Sequence, residues 1–118
     1  MIRSYEDIEA YRKSYNSALK VYEVTKGFPK EEMYGISSQV KRAALSIPLN
    51  IAEGYGKRES AAEFKRYLAM SKGSCNEVQV LIRFTKDLGY IDDKNHDALI
   101  EAYDEIGKML SGLIKNWK

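Results

Sequence analysis

The chain has 118 residues, 44% of them hydrophobic and 31% charged, with a formal net charge of only +2. That length fits one domain, residues 1–118, able to bury roughly two thirds of its unfolded surface and hold a core without staples. The near-neutral balance argues against a dedicated nucleic-acid coat, and the single cysteine, Cys75, excludes an intrachain disulfide and points to a reducing, cytoplasmic setting; no apolar run of about 18 residues and no apolar leader argues for membrane insertion or export.

The first predicted helix runs from about Tyr5 to Lys26. Ser4 can cap it, with Asp7 three residues on in a capping-box-like position. Ile8, Tyr11, Tyr15, Ala18, Leu19, Tyr22 and Thr25 recur at three- and four-residue steps, the spacing of one helical stripe. Gly27 ends it. The second helix is expected from about Pro29 to Glu53. A proline at the first helical position loses only an N–H that would be unpaired there. Glu31 and Glu32 complement the helix dipole, and Gly35 sets the first turn apart from the rest. Ile36, Val40, Ala43, Ala44, Ile47 and Ile51 make its stripe.

Pro48 stands inside that helix. It removes the hydrogen bond to the Ala44 carbonyl, at a cost of about 3 kcal/mol. The stripe resumes in phase at Ile51, so the expectation is a bend near residues 44–48 rather than an end. Gly54 is read as the stop after Glu53, and Gly56 as the second flexible position of a tight corner.

The third helix is expected from about Ser60 to Leu88, roughly 40 Å long, with Ser60 and Glu63 as a capping box and Gly89 as a left-handed stop. Phe64, Tyr67, Leu68, Cys75, Val78, Leu81, Ile82, Thr85 and Leu88 form its stripe. The fourth starts at an Asp92 or Asp93 cap and runs to Trp117, with Leu99, Tyr103, Ile106, Leu110, Leu113 and Trp117 as a heptad seam. Nothing alternates with period two for long. The fold class is therefore all-α, an up-down-up-down four-helix bundle with a proline kink in the second helix.

Several helices carry more apolar residues than a four-helix core requires. Val21 and Val24, Leu45 and Leu49, and Val80 and Phe84 are the expected interface with further copies of the chain, against the plainer alternative of scattered surface apolars.

Chemistry is sparse. Gly54-Tyr55-Gly56-Lys57 invites comparison with a phosphate cradle, but a P-loop needs a longer run between a strand and a helix, so a turn is the reading. One histidine, His96, cannot supply the paired Glu-x-x-His motifs of a di-iron bundle, so no metal and no cofactor are expected. Cys75 lies among the small residues Ser71, Gly73 and Ser74 and has no catalytic partner in the sequence. No small-molecule substrate is expected. Asn50 and Glu53, one turn past Pro48, are read either as a network that satisfies freed carbonyls or as a polar ring in an oligomer. Bases concentrate in the middle of the chain: Lys41, Arg42, Lys57, Arg58, Lys65, Arg66 and Lys72 form a candidate RNA- or DNA-binding patch, provided that the second and third helices bring them to one face. Acids concentrate between Asp87 and Glu105.

The stretch "SSQVKRAALSIPLNIAEGYGKRE", with "YEDIEAYRKS" at the start, "EFKRYLAMSKGSCNEVQ", "LGYI" and "IGKMLSGLIK", resembles the bacterial four-helix bundle proteins. That family includes proteins encoded by intervening sequences in large-subunit ribosomal RNA genes, and the accessory variability determinant of diversity-generating retroelements is a relative. The resemblance implies the four-helix fold and a homopentamer with a central channel. The retroelement relative is strongly basic and binds nucleic acid and a reverse transcriptase, whereas this chain is near neutral. The expected function is a non-enzymatic, self-assembling scaffold for nucleic acid, for a reverse-transcriptase-like partner, or for both. The alternative is an oligomeric protein-binding adaptor whose basic and acidic patches meet across subunits.

Overall fold

The computed structural model describes residues 1–118 and contains helices and turns only. A short 3-10 turn, Tyr5–Asp7, precedes α1 (Glu9–Thr25). A second 3-10 turn, Lys30–Glu32, precedes α2 (Ile36–Tyr55), and α3 (Ala61–Asp87) and α4 (Asp93–Asn116) follow. Each helix packs on its neighbour in sequence, α1 also packs on α4, and the diagonal pairs do not approach. This is an up-down-up-down bundle, 44 × 24 × 19 Å.

The helix ends are chemically specified. Ser4 and Asp7 form the expected capping box, but around the first 3-10 turn rather than α1 itself. Ser60 Oγ accepts from the Glu63 N–H, while the Glu63 carboxylate turns to Arg66 instead of completing a box. Asp92 Oδ1 accepts from the Asn95 N–H at 2.8 Å and starts α4. Gly89, with φ +80°, is the left-handed stop after α3. Pro29 begins only a 3-10 turn, and α2 starts after Gly35.

Two expectations about α1 and α2 are corrected. The core stripe of α1 is Ala10, Ser14, Ser17, Ala18, Val21 and Thr25. Val21 is fully buried and so is not free to face a second copy, while Val24 is partly buried and packs against the core. Their neighbours in the predicted stripe, Tyr15, Leu19 and Tyr22, are exposed instead. Small side chains let α1 approach closely. Ser14 and Thr25 remain compatible with burial because their hydroxyls donate to the carbonyls of Tyr11 and Tyr22. In α2 the helix passes unbroken through the buried Pro48 and also through Gly54, ending at Tyr55. Gly54 is therefore not a stop. Gly56, the C-cap, has ordinary right-handed angles, φ −64° and ψ −15°.

The core closes around Tyr103, whose ring is buried while its hydroxyl has no hydrogen-bond partner. Burial raises the phenol pKa, with a smaller push from the neighbouring Cys75. An unpaired buried hydroxyl carries its full desolvation penalty. Tyr103→Phe is accordingly expected to raise stability by about 1 kcal/mol in urea unfolding, and a loss would show that the hydroxyl has a hidden partner.

At the end of the bundle that carries the α2–α3 corner, Trp117 stands edge-on to Phe64 at 4.7 Å and to Tyr55 at 6.5 Å. These rings cap the core where α4 finishes. Trp117 is only partly buried, so Trp117→Ala is expected to cost about 2–3 kcal/mol, below the usual range for a fully buried tryptophan. Thermal unfolding followed by circular dichroism checks it.

Candidate functional site

The seven candidate bases do not share a face. Lys41 lies in the α1–α2 groove, its ammonium 5.4 Å above the Tyr22 ring. Arg42 lines the opposite groove, between α2 and α3, with Gln39, Ser46, Ser74 and Glu77. Lys72 lines the α3–α4 groove beside Asp104 and Lys108. Only the corner itself gathers positive charge. The Arg58 guanidinium lies 4.1 Å over the Tyr55 ring and donates to the Tyr55 carbonyl at 3.0 Å. Lys57 and Arg66 approach the Tyr67 ring at 5.7 and 4.7 Å. Lys65 is half-buried in the first turns of α3. From Arg42 to this corner is roughly 20 Å along α2, so the predicted continuous patch is a cationic corner plus separate charges.

The corner is already partly neutralised. Arg66 makes two hydrogen bonds to Glu63, at 2.7 and 3.2 Å. That contact holds the Glu63 carboxyl below its usual range and raises the guanidinium pKa. Nor is the backbone free to cradle a phosphate. The N–H groups of Lys57, Arg58 and Ser60 donate within the turn, to Gly54, Tyr55 and Lys57.

Around Pro48 the polar groups serve the α2–α3 contact. Ser71 Oγ donates to the Ile47 carbonyl at 2.9 Å, and the Ser46 and Ser74 hydroxyls meet at 2.7 Å. Asn50 Nδ2 donates to the Ser46 carbonyl at 2.9 Å, not to the carbonyl that Pro48 frees, and Glu53 is exposed. Burial pushes the Cys75 thiol up to about 12, which leaves it protonated and unreactive at neutral pH. His96 meets Asp97 at 2.8 Å in the first turn of α4. No three His, Cys, Asp or Glu side chains converge as metal ligands. No helix is long and apolar enough to cross a membrane.

What the surface does offer is apolar side chains grouped on two helix faces, besides separate ones such as Met33, Tyr34 and Met70. Leu45 and Leu49 on α2 are 41% and 57% exposed, and Tyr15, Leu19 and Tyr22 on α1 are exposed beside them. With α1 and α2 antiparallel and Lys41 beside Tyr22, helical rise puts Leu19 near the level of Leu45, and Tyr15 near that of Leu49. This makes one apolar face along the α1–α2 groove. A second lies on α3, where Val80 (63% exposed), Phe84 (55%) and Leu88 follow at four-residue steps. Sequence reasoning singled out Leu45, Leu49, Val80 and Phe84 but placed Leu88 and, on α1, Tyr15, Leu19 and Tyr22 in core stripes. The signal that separates those on α1 is the parallel stripe of small residues, Ala10, Ser14, Ser17 and Ala18.

Residues 6–112 match the family model described as 23S rRNA-intervening sequence protein. The fold also matches that of a protein of unknown function from the S23 ribosomal protein family of Bacteroides thetaiotaomicron VPI-5482, with a TM-score of 0.80 over 91% of this chain and 99% of that one, at 24% identity. No curated protein matches the chain.

Proposed function

We propose that this chain, which belongs to the 23S rRNA-intervening sequence protein family, is a non-enzymatic scaffold that assembles with copies of itself into a closed ring, a homopentamer. The observation that carries this reading is the pair of exposed apolar faces, Leu19, Leu45 and Leu49 on one and Val80 and Phe84 on the other. Exposed large apolar residues are ordinary singly, but grouped along one helix face they mark an interaction surface. Two different faces on one molecule suit a heterologous contact, face one of each copy on face two of the next, and such contacts close into a ring when the rotation between copies divides a full turn. The corner with Lys57, Arg58 and Arg66, repeated around a ring, would add up to a positive rim for nucleic-acid phosphates. Such contact is salt-sensitive and blind to sequence.

Light scattering of the purified protein tests the assembly. The expected mass is that of five copies, and a monomer at micromolar concentration overturns the proposal. Binding to generic RNA and DNA across a salt titration tests the rim. Lys57→Glu with Arg58→Glu is expected to abolish most of it; unchanged binding in that variant removes the corner as the site, and no binding by the parent leaves a scaffold for proteins alone.

A further inference from the structure

Where the first apolar face reaches the N-terminal 3-10 turn, it gives way to a groove of about 320 Å³ lined by Glu6, Tyr11, Arg12, Tyr15 and Asn16. Its composition differs from that of the face above it. Tyr5, Tyr11 and Tyr15 form a ladder of rings, with centroids 4.9 and 6.0 Å apart. Tyr11 is half-buried and held by both neighbours, while Tyr15, the end member of the apolar face, is 49% exposed in the single copy and lines the groove as well. Asn16 brings a side-chain amide, donor and acceptor together, one residue further on. Arg12 supplies a guanidinium whose Nη1 is anchored on the Glu6 carbonyl at 2.9 Å, leaving its other N–H groups for an anion.

We propose that this groove binds one nucleotide unit: the base on the Tyr15 ring with its edge on Asn16, and the phosphate on Arg12. A flat heterocycle needs an aromatic platform and an amide, and its phosphate needs a fork of donors. The Glu6 carboxylate opposes the phosphate and favours the amino edge of a base on its side of the groove. The unit has two possible sources, a residue of a single-stranded nucleic acid or a free mononucleotide. A duplex is excluded, because its bases are stacked on one another and not available to Tyr15. The polymer form rests on the nucleic-acid arm of the proposed function; the groove itself does not.

The test uses the full chain. Amide NMR spectra are recorded with adenosine monophosphate and with ribose 5-phosphate, and affinities are measured for a short single-stranded oligonucleotide and for its duplex. Adenosine monophosphate is expected to move the Tyr15 and Asn16 signals, and ribose 5-phosphate to leave them. Tyr15→Ala is expected to weaken single-strand binding roughly tenfold, and Tyr15→Phe, which keeps the ring, by less than about twofold. Tyr15 also belongs to the apolar face, so Asn16→Ala, which does not, repeats the test with assembly intact. If the nucleotide leaves Tyr15 and Asn16 unmoved, or if both alanine variants bind the oligonucleotide as the parent does, the proposal is overturned. Should Lys57→Glu with Arg58→Glu lose the oligonucleotide while the nucleotide shifts persist, the groove stands and its ligand is the free nucleotide. Loss in that double variant with no nucleotide shifts and no effect of Tyr15→Ala leaves the basic corner and removes the groove.

Discussion

Gly54→Val is expected to prevent the bundle from reaching its native packing, with a loss of at least about 3 kcal/mol. A Cβ at this position would lie 2.5 Å from Tyr67 Cβ and 3.1 Å from Phe64 Cδ1. The first of these atoms is fixed to the α3 backbone, so the clash cannot be relieved by a rotamer change. The two helices would have to separate at the point where Tyr55, Phe64 and Trp117 seal the end of the core. Gly54→Ala isolates the cause. In an exposed helix interior that change gains about 1 kcal/mol from backbone entropy and propensity. Here overpacking, about 1–3 kcal/mol for one inserted carbon, outweighs it. The midpoint of urea unfolding should therefore fall for alanine and fall further for valine. A rise for alanine would mean that α2 and α3 are further apart than described.

The same residue marks the limit of what the sequence discloses. Gly54 followed by Tyr55-Gly56 has the look of a helix stop, because local chemistry at a glycine is the same whether it ends a helix or lets another backbone in. Only the partner at Tyr67 tells them apart, and that partner is 13 residues away in sequence but adjacent in space. The four helices, by contrast, are written in local periodicity, and α4 shows its seam of Leu99, Tyr103, Ile106 and Leu110 almost without ambiguity. In α1 two stripes compete. The larger side chains suggest a core of Tyr15, Leu19 and Tyr22, yet close packing selects Ser14, Ser17, Ala18 and Val21. The candidate bases are dispersed for a related reason. Residues on neighbouring helices share a face only if their angular positions agree, and Lys41, Arg42 and Lys72 point into three different grooves.

Charging one apolar face at a time is expected to dismantle the assembly in a way that reveals its symmetry. Leu49→Glu places a carboxylate in the face on α1 and α2, and Phe84→Glu does so on α3; both side chains are more than half exposed, so each variant should remain folded. A carboxylate buried without a partner costs several kcal/mol, enough to remove a contact between copies. If the two faces meet each other, every contact needs one of each, and either variant alone is a monomer. Mixed together, the intact α3 face of the Leu49→Glu chain still meets the intact α1–α2 face of the Phe84→Glu chain. That pair has no good face left with which to grow, so light scattering should show a heterodimer and nothing larger. If each face instead meets its own kind, the single variants are already dimers and mixing adds nothing. A ring that survives both substitutions would place the contact elsewhere on the molecule and leave Leu49 and Phe84 as ordinary surface residues.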